Sequence, residues 1–366
     1  MKYDMVKLKE LCTVNQGLQI PISKRYKEPG DNRFFYITVQ FLKESGENYY
    51  IENPPKSVTC TKDEILVVRT GNTGQVITGV TGCFHNNFFK VTPNERVFSR
   101  YLYYALNNKK MHDAMLNAAS GTTIPDLKHS SFYDLEIPLP SIDIQKKIST
   151  ILDNICNKLK LNSEINNNLQ ELSKQLLLKY LEDNDESEEI NISELLNVFT
   201  GKKNANETSL NGKYKFFSCA PESLLSDTYL YDGAAIIVAG NGAYTGRTRF
   251  YDGKFELYQR TYGLTLKDGI NKNNIYGLYV FMKTVFEPDK MGGTHGSAIP
   301  YIVLSDLTDY KLKYNKSEFD KFSDLVSSNI KMIQENEKSS EELSQLRDTL
   351  LPKLMNGEID LNNIEI

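Results

Sequence analysis

The chain of 366 residues has no apolar run near the ~20 residues that cross a bilayer as a helix. Its first ten residues, MKYDMVKLKE, lack the apolar centre of a signal peptide. Both absences lead us to expect a cytoplasmic protein with no membrane partner. Cysteine is scarce and odd in number: Cys12, Cys60, Cys83, Cys156 and Cys219, with no Cys-x-x-Cys. That pattern excludes a disulfide framework and points to reduced thiols. No metal site is expected, since only Cys83 and His85 sit close together. The four histidines, His85, His112, His129 and His295, are scattered, and no Gly-x-Ser-x-Gly or similar nucleophile motif appears.

What is present is a repeat. Val6, Leu8, Glu10, Leu11, Val14 and Gly17 match Ile190, Ile192, Glu194, Leu195, Val198 and Gly201 at a constant offset of 184. Each set reads as a short strand, a helical turn and a glycine stop. An aromatic strand follows in each half (Phe34–Ile37, Phe216–Cys219), then an apolar strand running into a glycine loop. The loops are Gly71-Asn72-Thr73-Gly74 and Gly240-Asn241-Gly242-Ala243-Tyr244-Thr245-Gly246. The second is not Gly-x-Gly-x-x-Gly and a strand pattern, Arg247 to Tyr251, follows it, so we read a tight turn rather than a nucleotide site. Further strands are expected at Phe88–Val91 and Tyr262–Leu266, and helices at Tyr101–Leu116 and Tyr276–Phe286. Ser120-Gly121-Thr122-Thr123-Ile124-Pro125 and His295-Gly296-Ser297-Ala298-Ile299-Pro300 then lead through a strand into a long amphipathic stretch. Asn53-Pro54-Pro55-Lys56 reads as a turn, because lysine cannot stack on a flipped base as an aromatic does at that place.

The first long stretch carries Ile148, Ile151, Ile155, Leu159, Ile165, Leu169, Leu172 and Leu176, mostly three and four apart. Pro138 and Pro140 forbid helix before it, and Ser141 is a good N-cap. From Ile148 to Tyr180 it makes a rod of roughly 50 Å. Asn162 and Asn166 to Asn168 interrupt the apolar seam, which predicts a stutter. The second stretch carries Phe319, Phe322, Val326, Ile330, Ile333, Leu343, Leu346 and Leu350. Leu169, Leu172, Leu176, Leu177 and Lys179 match Leu343, Leu346, Leu350, Leu351 and Lys353 at an offset of 174. Neither helix buries a narrow stripe alone, so the two are expected to pack on each other. The division is a domain over 1–140, a helix over 141–181, an acidic linker over 182–189, a domain over 190–314, a helix over 315–356 and a tail over 357–366. The fold class is α+β, with an internal repeat of pseudo-two-fold character suited to a duplex.

The net charge is −4, but residues 1–140 hold 17 Lys/Arg against 14 Asp/Glu, and residues 190–314 hold 14 against 12. The linker and the residues after 315 carry the acid. Both domains are mildly basic, which is compatible with nucleic acid. Arg69 beside one glycine loop, and Arg247 and Arg249 beside the other, are placed to meet phosphates or guanine. A looser pattern, Pro288-Asp289 with Asp309-Tyr310-Lys311, formally fits a metal-dependent nuclease. A coiled-coil interaction protein without a DNA role is the other alternative.

Three segments carry a family resemblance. They are Ile137-Pro138-Leu139-Pro140 with Gln145-Lys146-Lys147-Ile148, the run from Leu346 to Ile359 (LRDTLLPKLMNGEI), and Ser120 to Leu127. With the repeat, they make the whole chain resemble the specificity (S) subunit of a type I restriction-modification system. It departs from the pattern at Ile144, where glutamate is usual, and at Tyr314 to Phe322, which lacks the prolines and the glutamine of the first copy. The resemblance implies two target-recognition domains, each reading one half of a split double-stranded DNA site. It implies an antiparallel coiled coil that sets the gap and docks two methyltransferase (M) subunits, with restriction (R) subunits beyond. S-adenosylmethionine, ATP and Mg belong to those partners, and no cofactor or catalytic residue to this chain. Candidate DNA-binding residues are Lys24, Arg25, Arg69, Asn72, Thr73 and Lys128 in the first domain. In the second they are Lys202, Lys203, Asn241, Tyr244, Arg247, Arg249 and Arg260. Candidate docking and coiled-coil residues are Gln145, Ile148, Ile151, Ile155, Leu159, Leu169, Leu172 and Leu176, with Phe322, Val326, Ile330, Ile333, Leu343, Leu346 and Leu350.

Overall fold

The structure, a computed structural model, describes residues 3–43, 47–121, 125–286 and 300–362. It divides into two compact units: Met1–Leu159 with Glu341–Ile366, and Lys160–Ser340. Each unit therefore holds one repeat and part of both long helices.

In the first unit the strands are β1 (Met5–Lys7), β2 (Cys12–Gln16), β3 (Arg33–Ile37), β4 (Tyr50–Glu52), β5 (Thr59–Cys60), β6 (Ile65–Val68), β7 (Val76–Ile77), β8 (Gly82–Phe84), β9 (Phe88–Pro93) and β10 (Glu136–Pro138). β1 pairs with β10, which ties the two ends of the domain together. One sheet runs β2-β9-β6-β7 and another β4-β3-β8-β5. The helical turn after β1 is a single 3-10 turn at Leu8–Glu10, and Val14, expected in that turn, lies in β2. Helices α1 (Ser99–Leu106), α2 (Lys109–Ala118) and α3 (His129–Tyr133) follow. The single helix expected over Tyr101–Leu116 is broken at Asn107-Asn108. Asn108 accepts from the Met111 amide (3.0 Å) and so starts α2 afresh. Phe89, Val91, Tyr101, Leu102, Met115 and Phe132 form the core beneath the sheet.

The second unit repeats this order with β11 (Glu189–Asn191), β12 (Leu196–Thr200), β13 (Tyr214–Phe217), β14 (Leu224–Ser226), β15 (Tyr231–Ala239), β16 (Thr248–Leu257), β17 (Thr261–Leu266) and β18 (Lys311–Lys313). β11 pairs with β18, and the rest form one sheet, β12-β17-β15-β16-β13-β14. The long β16 does what β7 and β8 do separately. It pairs antiparallel with β15 and then parallel with β13, as β7 pairs with β6 and β8 pairs parallel with β3. Gly79, at φ 84°, sits where the first copy is cut. Among the described residues, α5 (Asn274–Val285) and α6 (Leu304–Thr308) lie between β17 and β18.

The long helices are α4 (Ile142–Asp183) and α7 (Lys316–Met355), within two residues of the expected ends. The Gln145 amide donates to the Ser141 carbonyl (2.9 Å), which makes Ser141 the residue from which α4 starts. In the second unit the helices are antiparallel. Asn162 Nδ2 donates to Ser340 Oγ (3.1 Å), Asn336 Nδ2 to Asn166 Oδ1 (2.9 Å) and Asn329 Nδ2 to Ser173 Oγ (3.1 Å), while Tyr180 stacks on Phe322. Each step up one helix matches an equal step down the other.

These pairs correct the expected seam. The residues Asn162, Asn166, Leu169, Ser173, Leu176 and Tyr180 follow the 4-3 spacing of a heptad without a stutter. The same spacing runs back through Leu159, Ile155, Leu152 and Ile148. Three of its positions are polar, so a search for leucine and isoleucine jumps to the wrong row. Leu172 and Leu346, expected in the seam, are instead 50% and 46% exposed, and Ile165 is exposed too. Ile151 is half-buried against the first core and Ile330 is buried in the second.

Candidate nucleic-acid interface

Strand register gathers the glycine loops and the segments around them at one end of each sheet. In the first unit Gln16 and Val67 both lie opposite Phe89, so the chain leaves β2 and β6 at the same edge. The Gly17 amide donates to the Phe88 carbonyl (3.0 Å) and the Arg69 amide to that of Asn87 (2.7 Å). In the second unit Thr200 and Val238 both lie opposite Tyr262. There the Gly201 amide donates to the Thr261 carbonyl (3.2 Å) and Gly240 to that of Arg260 (2.8 Å). Both first loops leave at a glycine because nothing larger fits. A Cβ at Gly17 would overlap the Phe84 and His85 carbonyls, and one at Gly201 those of Leu257 and Tyr258.

Pro125 and Pro300, which end the two corresponding stretches, meet the glycine loops in the same manner. Thr73 Oγ1 donates to the Pro125 carbonyl (2.6 Å), and Thr245 Oγ1 to that of Pro300 (2.9 Å). The Leu127 amide donates to the Arg69 carbonyl (3.0 Å), and Ile302 to Gly240 (2.9 Å). Residues 122–124 and 295–299 of these stretches lie outside the described residues, as do Pro288 and Asp289. Among the described residues no cluster of His, Cys, Asp or Glu could hold a metal ion.

The candidate cations fall into two classes. Several are held by the fold and have little left to offer a ligand. Arg69 makes a bidentate pair with Asp126 (2.9 and 2.7 Å). Arg25 donates twice to the Ile20 carbonyl (2.9 and 2.7 Å) and lies over the rings of Tyr36 and Tyr49. Lys203 donates to Ser226 Oγ (3.0 Å) and Thr228 Oγ1 (2.6 Å) beside the buried Glu256. Arg249 donates to the Ala220 carbonyl, and burial, aided by Arg247, holds its pKa below the usual value. Thr73 is buried and supports the loop. The second class is exposed: Lys24, Lys128, Lys202 and Arg260. Tyr244 is exposed with the Arg247 guanidinium 4.0 Å above its ring, and Asn72 and Asn241 are half-buried at the loops.

The docking candidates divide likewise. Gln145 is wholly buried: its Nε2 donates to the Pro140 (2.9 Å) and Arg96 (3.1 Å) carbonyls and its Oε1 accepts from the Phe98 amide (2.7 Å). It ties α4 to its own domain and faces no partner. Ile148 is buried with Leu354 in the first unit's core, Ile155 is buried as well, and Phe322, Val326 and Ile333 are buried in the second. Leu159, Leu169, Leu176, Leu343 and Leu350 are half-buried, the range expected along a helix pair. Sequence reasoning missed Asp126 and Glu256. Each neutralises a cation far away in the chain, and no local pattern announces it.

A family model described as "Type I restriction modification DNA specificity domain" matches residues 1–171 and 184–338, one stretch per repeat. The type I restriction enzyme MjaIX specificity subunit of Methanocaldococcus jannaschii is 25% identical over 99% of this chain and 94% of its own length. The EcoDI specificity subunit of Escherichia coli is 29% identical over 46% of this chain and 38% of its own length. The crystal structure of a type I restriction-modification system S subunit from M. genitalium superposes with a TM-score of 0.73. It is 19% identical, covers 99% of this chain and 97% of that one, and so speaks for the fold.

Proposed function

We infer how this chain works from one premise: it belongs to the type I restriction modification DNA specificity family. It is a non-catalytic specificity subunit with two target-recognition domains, and the chemistry belongs to partner subunits. No helix among the described residues is long and apolar enough to cross a membrane.

The finer reading rests on one observation: both repeats bring the same two loops and a set of exposed cations to the same end of the sheet. We propose that this end of each domain meets duplex DNA and reads one half of a bipartite site. The exposed lysines and arginine would hold phosphates, and the loops would face base edges. Two methyltransferase subunits dock on the helices. Leu172 and Leu346, equivalent in the repeat and both off the seam, give each an apolar foothold. S-adenosylmethionine sits in those subunits, and ATP and Mg serve restriction subunits. Exchanging residues 1–135 for those of a relative and sequencing the methylome of cells carrying the complex tests this. One altered half-site is expected; two altered halves would refute independent recognition domains.

A further inference from the structure

Among the described residues, the two most exposed large apolar side chains are Ile22 and Leu210, at 75% and 97%. A single exposed aliphatic residue needs no explanation on its own. These two, however, occupy the same loop of the two repeats, the one that leaves Gly17 or Gly201 for the aromatic strand β3 or β13. The loop sequences are otherwise unlike, so the duplication did not simply copy the residue.

Both tips are held in place. Ile22 opens a 3-10 turn behind Pro21, whose carbonyl accepts from the Lys24 amide (3.0 Å). Beneath it the Tyr36 hydroxyl accepts from the Ile20 amide (3.0 Å) and donates to the Leu18 carbonyl (2.7 Å), while Arg25 grips the Ile20 carbonyl. Leu210 sits on the turn from Ser209 to Gly212. The Ser209 amide donates to the Leu225 carbonyl (2.9 Å), and a Cβ at Gly212 would overlap the Ser226 backbone. A rigid turn loses little conformational entropy when its tip is buried by a ligand. Exposed cations share each loop with its tip, Lys24 with Ile22, and Lys202 and Lys213 with Leu210. An apolar point beside exposed cations suits an apolar surface inside a polyanion.

We propose that Ile22 and Leu210 enter a groove of duplex DNA and make apolar contact with bases, each setting specificity in its own half-site. Aliphatic side chains contact the thymine methyl in the major groove or wedge at a base step in the minor one. The proposal rests on the assignment to DNA of the end of each sheet from which these loops depart, at Gly17 and Gly201.

The test uses the full-length chain assembled with its methyltransferase partner and a duplex carrying the site defined by the wild-type methylome. Ile22→Ser and Leu210→Ser change exposed side chains, so the fold is expected to stand, and a melting curve checks it. Each variant is expected to bind the specific duplex about tenfold more weakly, a factor equal to ~1.4 kcal/mol. Each should also relax methylation at one half only, a different half for each variant. Affinity for a scrambled duplex and the salt dependence should not change, because no charge is lost. Ile22→Leu and Leu210→Ile should restore most of the affinity. Unchanged specific binding in both serine variants overturns the proposal, as does failure of the complex to assemble, which would make the tips protein contacts. Failure of the underlying assignment looks different: Lys202→Ala and Arg260→Ala would then leave both duplex affinities and the salt slope unchanged.

Discussion

Replacing Asn162 by leucine should stabilise the second unit. Asn162 is 1% exposed in the seam between α4 and α7. Its Nδ2 donates to the Asn336 carbonyl (3.3 Å) and Ser340 Oγ (3.1 Å), and its Oδ1 is buried with no partner among the described residues. Leucine has the same branching and the same number of side-chain heavy atoms, so the hole is filled. Removing the amide orphans neither acceptor, because Ser340 Oγ itself donates to the Asn336 carbonyl (2.7 Å). The two lost bonds cost about 1–3 kcal/mol together, and ending the unmet acceptor returns a similar amount. Burying the leucine adds about 1.5–3 kcal/mol. With side-chain ordering set against these, the net gain is about 1–2 kcal/mol. For a unit of about 180 residues that raises Tm by roughly 2–6 °C. The expected cost is in register, since a buried asparagine at a seam position fixes which partner residue it meets. Calorimetry on the whole chain reads the first effect, and the crossing of a disulfide pair engineered between the helices reads the second. A fall in Tm of similar size would refute the reasoning, for it would mean that the amide is fully satisfied and holds the helices together.

Gly17→Ala should abolish recognition of one half-site and Gly201→Ala the other, because each Cβ would strike strand carbonyls that cannot move without unpairing the sheet; methylome sequencing of the two variants checks this, and a variant that keeps both half-sites would show that the loop re-routes. The first unit should lose stability in mild acid. Burial and Arg25 hold His85 below its usual 6.5, and burial and Arg69 do the same to His129. The unfolded chain thus takes up protons on these imidazoles first, so stability is full above about pH 6.5 and falls as pH drops through the depressed folded values. Denaturant melts across that window, with and without His85→Gln, measure the slope, and a slope the same in both would remove His85 from the account.

The duplication was legible in the sequence because backbone pairing follows local apolar pattern, and that pattern survives at a constant offset of 184. The positions of β6 and β15 follow from apolar runs that lead into a glycine loop, and those of β9 and β17 from short runs of aromatic and aliphatic residues. The break between α1 and α2 was less visible, since Asn107 and Asn108 are tolerable inside a helix and only the cap geometry shows that a new helix begins. The seam was misread for a related reason. Apolar periodicity finds the row richest in leucine, whereas an antiparallel pair of long helices is free to place Asn162, Asn166 and Ser173 inside and Leu172 outside. A strict 4-3 count from Ile148, ignoring residue type, recovers the true row.

The cations show where sequence reading ends. Whether an arginine is available to DNA depends on which acid the fold brings to it. Asp126 reaches Arg69 because the chain returns beside the glycine loop after α2, and Glu256 reaches Lys203 because β16 passes beneath the first loop of its domain. Neither encounter is written in the residues nearby. A count of Lys and Arg against Asp and Glu hides the same point, since a paired cation and a free one weigh alike. With Arg25, Arg69, Lys203 and Arg249 held by the fold and Arg247 half-buried over Tyr244, the exposed cations among the candidates reduce to Lys24 and Lys128 in one domain and Lys202 and Arg260 in the other. Each phosphate neutralised contributes close to one unit of salt slope, so two such cations per domain give only weak, salt-sensitive binding by this chain alone. Tight binding is then expected only once partner subunits add phosphate contacts, and salt titrations of duplex binding by the chain alone and by the assembled complex check this: an equal slope and affinity in both would refute it.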